Sequence, residues 1–205
     1  HLENGYSSPQ PAATFDAFGG YTRQINDGLS LYMRRKRADD YVAVKAELAA
    51  LAGVSPDEIA ITRNTTESLG TVIHGLDLAP GDEALVCDQD YGSMLEQFRQ
   101  QSKRRGLKLV DVDVPLHPKN DDDVVGAYER MMTPRTKVML VSHMINISGH
   151  ILPVKKIAAM AHARGVDVIA DAAHSFAHVN FAVPELDADY LGASLHKWLS
   201  TPLGA

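Results

Sequence analysis

Residues Val168–Leu199 read VIADAAHSFAHVNFAVPELDADYLGASLHKWL. An apolar run, Val166–Ala170, leads into this stretch and ends on Asp171, with His174 close behind. Short apolar runs bounded by polar residues read as buried strands. A second strand-like run closes the stretch and is followed by Ser194-Leu195-His196-Lys197-Trp198. A carboxylate and a lysine therefore each stand just after a strand. In an open α/β sheet, groups at the carboxyl ends of strands converge on one crevice, where ligands bind. A lysine able to form a Schiff base, with an aspartate able to pair a pyridinium nitrogen, is what pyridoxal 5'-phosphate (PLP) requires of its protein.

Upstream of this stretch, strand-like and helix-like segments alternate. Pro153 suits the first turn of a helix running to Arg164, because its missing N–H would be unpaired there anyway. Before it come an apolar strand, Lys137–Val141, and its polar exit loop, Ser142–His150. A helix spans Val124–Met132, and Asp121–Asp123 with Pro115 and Pro118 break the pattern ahead of it. Leu107–Val114 alternates as a strand, Ser93–Arg105 is a helix, and Glu83–Cys87 is a strand whose exit loop carries Tyr91.

Nearer the start, Glu58–Thr62 is a short strand candidate. It is followed by Asn64-Thr65-Thr66-Glu67-Ser68 and a helical pattern of Leu69, Val72, Ile73 and Leu76. Asn and Thr are favoured helix caps. A helix N-terminus presents free N–H groups and a positive dipole end to an anion, although capping alone also explains these residues. Tyr41, Val44, Leu48 and Leu51 repeat at helical spacing, and Gly53 ends that helix as a C-cap. Arg34-Arg35-Lys36-Arg37 reads as a solvated helix end. His1–Pro11 is polar and irregular, and the N-terminal segment is expected to run to residue 14. Strands alternating with helices predict an α/β fold, a mostly parallel sheet flanked by helices.

The composition narrows the function classes. A net charge of −6 leaves no basic footprint for nucleic acid. Cys87 is the one cysteine, so neither an internal disulfide nor a cysteine metal cluster is expected, which suits a cytoplasmic location. No apolar run approaches the ~18 residues of a membrane span. The chain starts at His1 rather than Met and stops in what reads as an active-site loop, so both ends are expected to be cut.

PLP makes several demands, and the exit loops carry a candidate for each. Lys197 offers the amine, and its apolar company favours the lowered pKa that the chemistry needs. Asp171 ends an apolar strand, where an uncompensated charge is costly, and is the partner for the ring nitrogen. Thr65, Thr66, Ser194 and His196 offer donors for a phosphate. Tyr91 or His174 can stack on the ring, and Asn146 or His174 can reach its hydroxyl. No metal site is expected. The basic groups near these loops are His143, His174, His196 and Arg63.

Four pieces, Asn64-Thr65-Thr66-Glu67-Ser68, SHMINISG at 142–149, Asp171-Ala172-Ala173-His174-Ser175 and Ser194-Leu195-His196-Lys197, resemble the class V aminotransferase family of fold-type I PLP enzymes. That group contains cysteine desulfurases, kynureninases and isopenicillin N epimerase-like proteins. The opening segment with Asn4-Gly5 is also similar. The resemblance implies that residues 1–205 are the large, PLP-binding domain of the fold-type I transferase fold, with a smaller C-terminal domain outside this chain. It implies that Lys197 carries the cofactor and that Asp171 pairs the pyridine nitrogen. Thr66, the backbone at Thr65, Ser194 and His196 would hold phosphate, and Tyr91 would stack on the ring. Asn146 and His174 would lie near the ring hydroxyl and substrate, with Asn4 and Gly5 bordering the substrate pocket. A homodimer is implied as well.

The expected function is PLP chemistry at the Cα of an amino acid, with Lys197 as base. Epimerisation, transamination and elimination remain open as branches. The Tyr91 loop and His196-Lys197-Trp198-Leu199 resemble the isopenicillin N epimerase-like subgroup most. A cysteine desulfurase or C–S lyase is the alternative within the family, and a non-catalytic α/β binding module the alternative outside it. A desulfurase needs a mobile nucleophilic cysteine, generally later than the lysine; Cys87 ends a strand instead, and the C-terminal part expected beyond this chain could supply one.

Overall fold

The computed structural model describes residues 4–204. In chain order the helices are α1 (Ala12–Asp27), the single turn α2 (Leu29–Leu31), α3 (Arg37–Ala52), α4 (Thr65–Gly75), α5 (Gly92–Arg105), α6 (Asp121–Met131), α7 (Val154–His162) and the short α8 (Leu195–Trp198). The strands are β1 (Glu83–Cys87), β2 (Lys108–Val112), β3 (Thr136–Ser142), β4 (Asp167–Asp171) and β5 (Tyr190–Gly192). All strand pairs are parallel and the sheet order is β2-β1-β3-β4-β5.

The core follows from the two-residue period of a strand. Ala84, Val86, Val138, Leu140 and Ile169 face one side and pack on Leu69 and Ile73 of α4 and on Met94 and Phe98 of α5. Their neighbours Leu85, Cys87, Met139, Val141, Val168 and Ala170 face the other side and pack on Tyr128 of α6 and Ile157 and Ala161 of α7. Helices on both faces explain why β1 and β3 are apolar at nearly every position. The N-terminal helices lie outside this sandwich, and α1 buries no residue. Arg34, Arg35 and Lys36 sit on a solvated π-helical turn, as their charge suggests. Gly53 adopts the left-handed conformation (φ 74°) that ends α3.

Three sequence expectations change. The N-terminal segment ends earlier than residue 14, because α1 begins at Ala12 directly after Pro11. The triad Asp121–Asp123 does not break the chain but forms the first turn of α6, capped by Asn120, where negative charge meets the positive end of the helix dipole. The third concerns Glu58, which closes a 3-10 turn (Pro56–Glu58) capped by Ser55, while residues 59–62 join no strand pairing. A cleft of about 260 Å³ has residues 59–62 and residues 191–193 of the β5 edge among its walls. A strand needs a hydrogen-bonded neighbour, and 59–62 does not pair with β5 across this cleft.

The contact that sets α4 against β5 is close. A β-carbon at Gly192 would lie 2.6 Å from Cγ and Cδ2 of Leu69 and 3.0 Å from Ser68 Oγ. Leu69 is fully buried and has no room to retreat. Gly192→Ala is therefore expected to lower stability by about 1–3 kcal/mol, the usual cost of overpacking. The shift in a denaturant midpoint measures it, and an unchanged midpoint would show that α4 does not rest on β5 in this way.

Candidate active site

The sheet order changes direction between β1 and β3, which opens a crevice at the carboxyl ends of the strands. The exit loops of β1, β3, β4 and β5 and the N-terminus of α4 meet there around a cavity of about 690 Å³. Thr66, Tyr91, Asn146, Asp171, His174 and Lys197 all line it. Thr65, Ser194, His196 and Gly5 line it too, so the sequence candidates come together with one exception. Asn4 is not part of the wall; its carbonyl accepts a hydrogen bond from Ser8 Oγ at 3.5 Å.

One end of the cavity is formed by the N-terminus of α4. Asn64 caps α4 by accepting the Glu67 N–H at 2.9 Å. The Thr65 N–H is not free for a ligand, because it donates to Ser194 Oγ at 3.1 Å. The two hydroxyls also bond, with 2.7 Å between Thr65 Oγ1 and Ser194 Oγ. When Thr65 donates in that pair, Ser194 keeps its own O–H for a ligand. The amide and hydroxyl of Thr66 make no hydrogen bond among the described residues. Arg63 does not contribute charge to the cavity: it turns away to grip Glu67, at 2.9 Å.

The other end carries the carboxylate and the amine. Asp171 is 5% exposed, and its Oδ1 accepts the Ala173 N–H at 2.9 Å. Burial raises the proton affinity of Asp171, and the nearby Lys197 only partly offsets it. Desolvation lowers the pKa of Lys197, against the pull of Asp171. Lys197 Nζ lies 5.9 Å from the centre of the Tyr91 ring. His174 is depressed to about 4 by burial first and by the charge of Lys197 second, so it is neutral at physiological pH. Burial lowers His196 as well.

The mouth of the cavity holds residues the sequence did not single out. His178 stacks on Trp198, with ring centroids 3.6 Å apart, and its Nδ1 lies 3.1 Å from the His174 carbonyl. The one local signal was that His178 follows His174 by a helical turn. The 4–8 segment folds over this side. The Ser8 N–H donates to the His196 carbonyl at 3.3 Å, and Ser8 Oγ donates to the Lys197 carbonyl. A β-carbon at Gly5 would sit 3.2 Å from the His174 ring, so a side chain there would require the ring to give by a few tenths of an ångström. His143, in the β3 exit loop, points into the core, where it bonds Ser175 Oγ at 2.9 Å and packs edge-on against Phe181.

Fold and cavity together define an open α/β domain whose cavity at the strand exits is lined by an amine, Lys197, and a carboxylate, Asp171. The chain belongs to the class-V aminotransferase family, which it matches over residues 2–205. It is 27% identical over 204 residues to the isopenicillin N epimerase of Streptomyces clavuligerus, covering 100% of this chain and 51% of that protein. It is 28% identical over 211 residues to a probable cysteine desulfurase of Halalkalibacterium halodurans, covering 100% of this chain and 51% of that protein. Among solved structures it is similar to a C-DES variant with glycine covalently linked to the PLP cofactor, at a TM-score of 0.91 and 22% identity, covering 100% of this chain and 54% of that one. The chain thus spans about half the length of the curated relatives it matches.

Among the described residues, no group of three or more His, Cys, Asp or Glu side chains is placed to hold a metal ion. No helix among them is long and apolar enough to cross a membrane. Cys87 is 1% exposed, and burial pushes its thiol up to about 12. The thiolate is the reactive form of cysteine, so this group is inert in the fold. Iodoacetamide at pH 8 is expected to leave Cys87 unmodified in the folded protein and to label it after denaturation. Mass spectrometry reads the difference, and rapid labelling of the folded protein would contradict it.

Proposed function

We propose that this chain is the PLP-binding large domain, residues 1–205, of an enzyme that acts at the Cα of an amino acid. One observation carries the reading: Lys197 and Asp171 face a single cavity from neighbouring strand exits, with the unpaired donors of Thr66 on the same wall. The residues fit the cofactor. Asp171 Oδ2 accepts no hydrogen bond among the described residues, and its burial favours a partner that brings a proton or positive charge. A protonated pyridine nitrogen is such a partner. Thr66, Ser194 and His196 would hold the phosphate, with Thr65 placing Ser194. Tyr91 would cover the ring, Asn146 and His174 would face its hydroxyl and the substrate, and Gly5 would border the substrate.

Bound there, PLP supplies an electron sink for a carbanion at Cα. The chain's own residues do the rest. Lys197 Nζ would hold the cofactor and would take the proton from the substrate Cα, a role that its lowered pKa assists. Asp171 would keep a proton at the ring nitrogen. His174, neutral at physiological pH, has one ring nitrogen to donate and one to accept.

Epimerisation is the favoured branch, supported by the relative named isopenicillin N epimerase. A cysteine desulfurase or C–S lyase is the second reading, supported by the desulfurase relative. The proposal includes a smaller domain outside residues 1–205 that grips the substrate carboxylate, since the cavity wall has no arginine among the described residues. It also includes a homodimer, supported by α1, which buries nothing and exposes Phe15, Phe18 and Tyr21.

Borohydride treatment of the PLP-loaded protein is expected to fix the cofactor on the peptide containing Lys197, and a label on another lysine would sink the assignment. Asp171→Asn keeps the shape and removes the charge. It is expected to retain PLP but to slow Cα-proton exchange by about 100- to 1000-fold, the usual effect of losing one electrostatic partner. Near-normal exchange in that variant would count against the role of Asp171.

A further inference from the structure

A second carboxylate is buried at the same end of the sheet as Asp171. Asp90, in the exit loop of β1, is 5% exposed. Its Oδ2 accepts the Cys87 N–H at 2.8 Å, and its Oδ1 accepts the Ser142 hydroxyl at 2.7 Å. Ser142 ends β3 and is the in-register partner of Asp171 on β4. Asp90, Ser142 and Asp171 therefore stand side by side on three adjacent strand ends, with Asp171 toward the cavity and Asp90 behind.

A turn-forming role alone does not account for a carboxylate here. Both hydrogen bonds come from neutral donors. An asparagine could accept the Cys87 N–H and donate to Ser142 Oγ without placing a charge in the interior. Burying an unpaired charge is costly. The other groups facing Asp90 do not neutralise it. They are Cys87 at the end of β1, Tyr128 of α6 and Asp171 of β4. The Tyr128 hydroxyl is itself buried without a hydrogen-bond partner.

We propose that Asp90 is a positioning residue for the cofactor ring: a second negative charge behind Asp171 that strengthens the hold of Asp171 on the ring-nitrogen proton. The inference rests on the PLP reading above. Burial, together with the charge on Asp171, raises Asp90 to about 7 against its hydrogen bonds. A protonated ring nitrogen would face the two carboxylates as the compensating cation. Removing the outer charge leaves Asp171 in place but weakens the field that keeps that proton bound.

The test uses the full-length protein loaded with PLP that carries ¹⁵N in the ring, and follows the ring-nitrogen shift with pH. In Asp90→Asn the ring is expected to lose its proton about one pH unit or more below the unaltered protein. That is the order expected for charges several ångströms apart in a partly screened interior. Circular dichroism of the bound cofactor checks that the ring is still seated, which a purely structural role would disturb instead. Asp90→Thr, also neutral, is read in the same way should the Asn variant not fold. The same midpoint in the variant and the unaltered protein, or a ring that stays protonated over the same range in both, overturns the proposal. An unaltered protein that binds no PLP would instead overturn the cofactor reading on which it rests.

Discussion

The hydroxyl of Ser194 and the first residue of α4 are held together by two short hydrogen bonds, to the amide and to the hydroxyl of Thr65. The candidate site depends on this junction. It joins the exit of β5, which leads into Lys197, to the N-terminus of α4, which faces the cavity. Beneath it, Gly192 lets Leu69 press against β5, so the polar contact rests on close apolar packing. Without the junction, the Thr66 end of the cavity and its amine end would belong to elements far apart in the chain, spaced by apolar packing alone. The strap of residues 4–8 fixes the same short helix from outside, through hydrogen bonds from Ser8 to the carbonyls of His196 and Lys197.

The electrostatics follow from burial. Asp171 and Lys197 are both withdrawn from water, and each is pushed toward its neutral form. A carboxylate that seeks a cation and an amine that gives up its proton easily are poorly matched as a simple ion pair. They suit a ligand that brings its own N–H to one and an electrophilic carbon to the other. His174 and His196 are shifted in the same direction as Lys197 and add no positive charge at physiological pH.

Much of this was legible in the sequence. β1, β3 and β4 sit between helices on both faces, and their near-unbroken apolar runs betray it. Residues in the loops that leave β1, β3, β4 and β5 meet at the cavity because a parallel sheet brings these exits to one edge. What stayed hidden depends on partners distant in the chain. Residues 59–62 have strand-like composition but no pairing neighbour, which composition cannot reveal. The amide of Thr65 looked free because Ser194, which takes it, is remote in sequence. Asp90 read as a loop residue, and its burial became visible only once β1 and β3 were adjacent. The acidic start of α6 was misread locally: three aspartates break a helix interior but favour its first turn.

The central claim is that one cavity, formed by these strand exits, holds PLP with its ring nitrogen at Asp171 and its attachment at Lys197. A crystal structure of the protein grown with PLP tests this most directly. The account predicts density continuous with Lys197 Nζ, the ring nitrogen within hydrogen-bond distance of Asp171 Oδ2, and the phosphate against Thr66 and Ser194. Density for the cofactor at another lysine, or a ring whose nitrogen points away from Asp171, would contradict it.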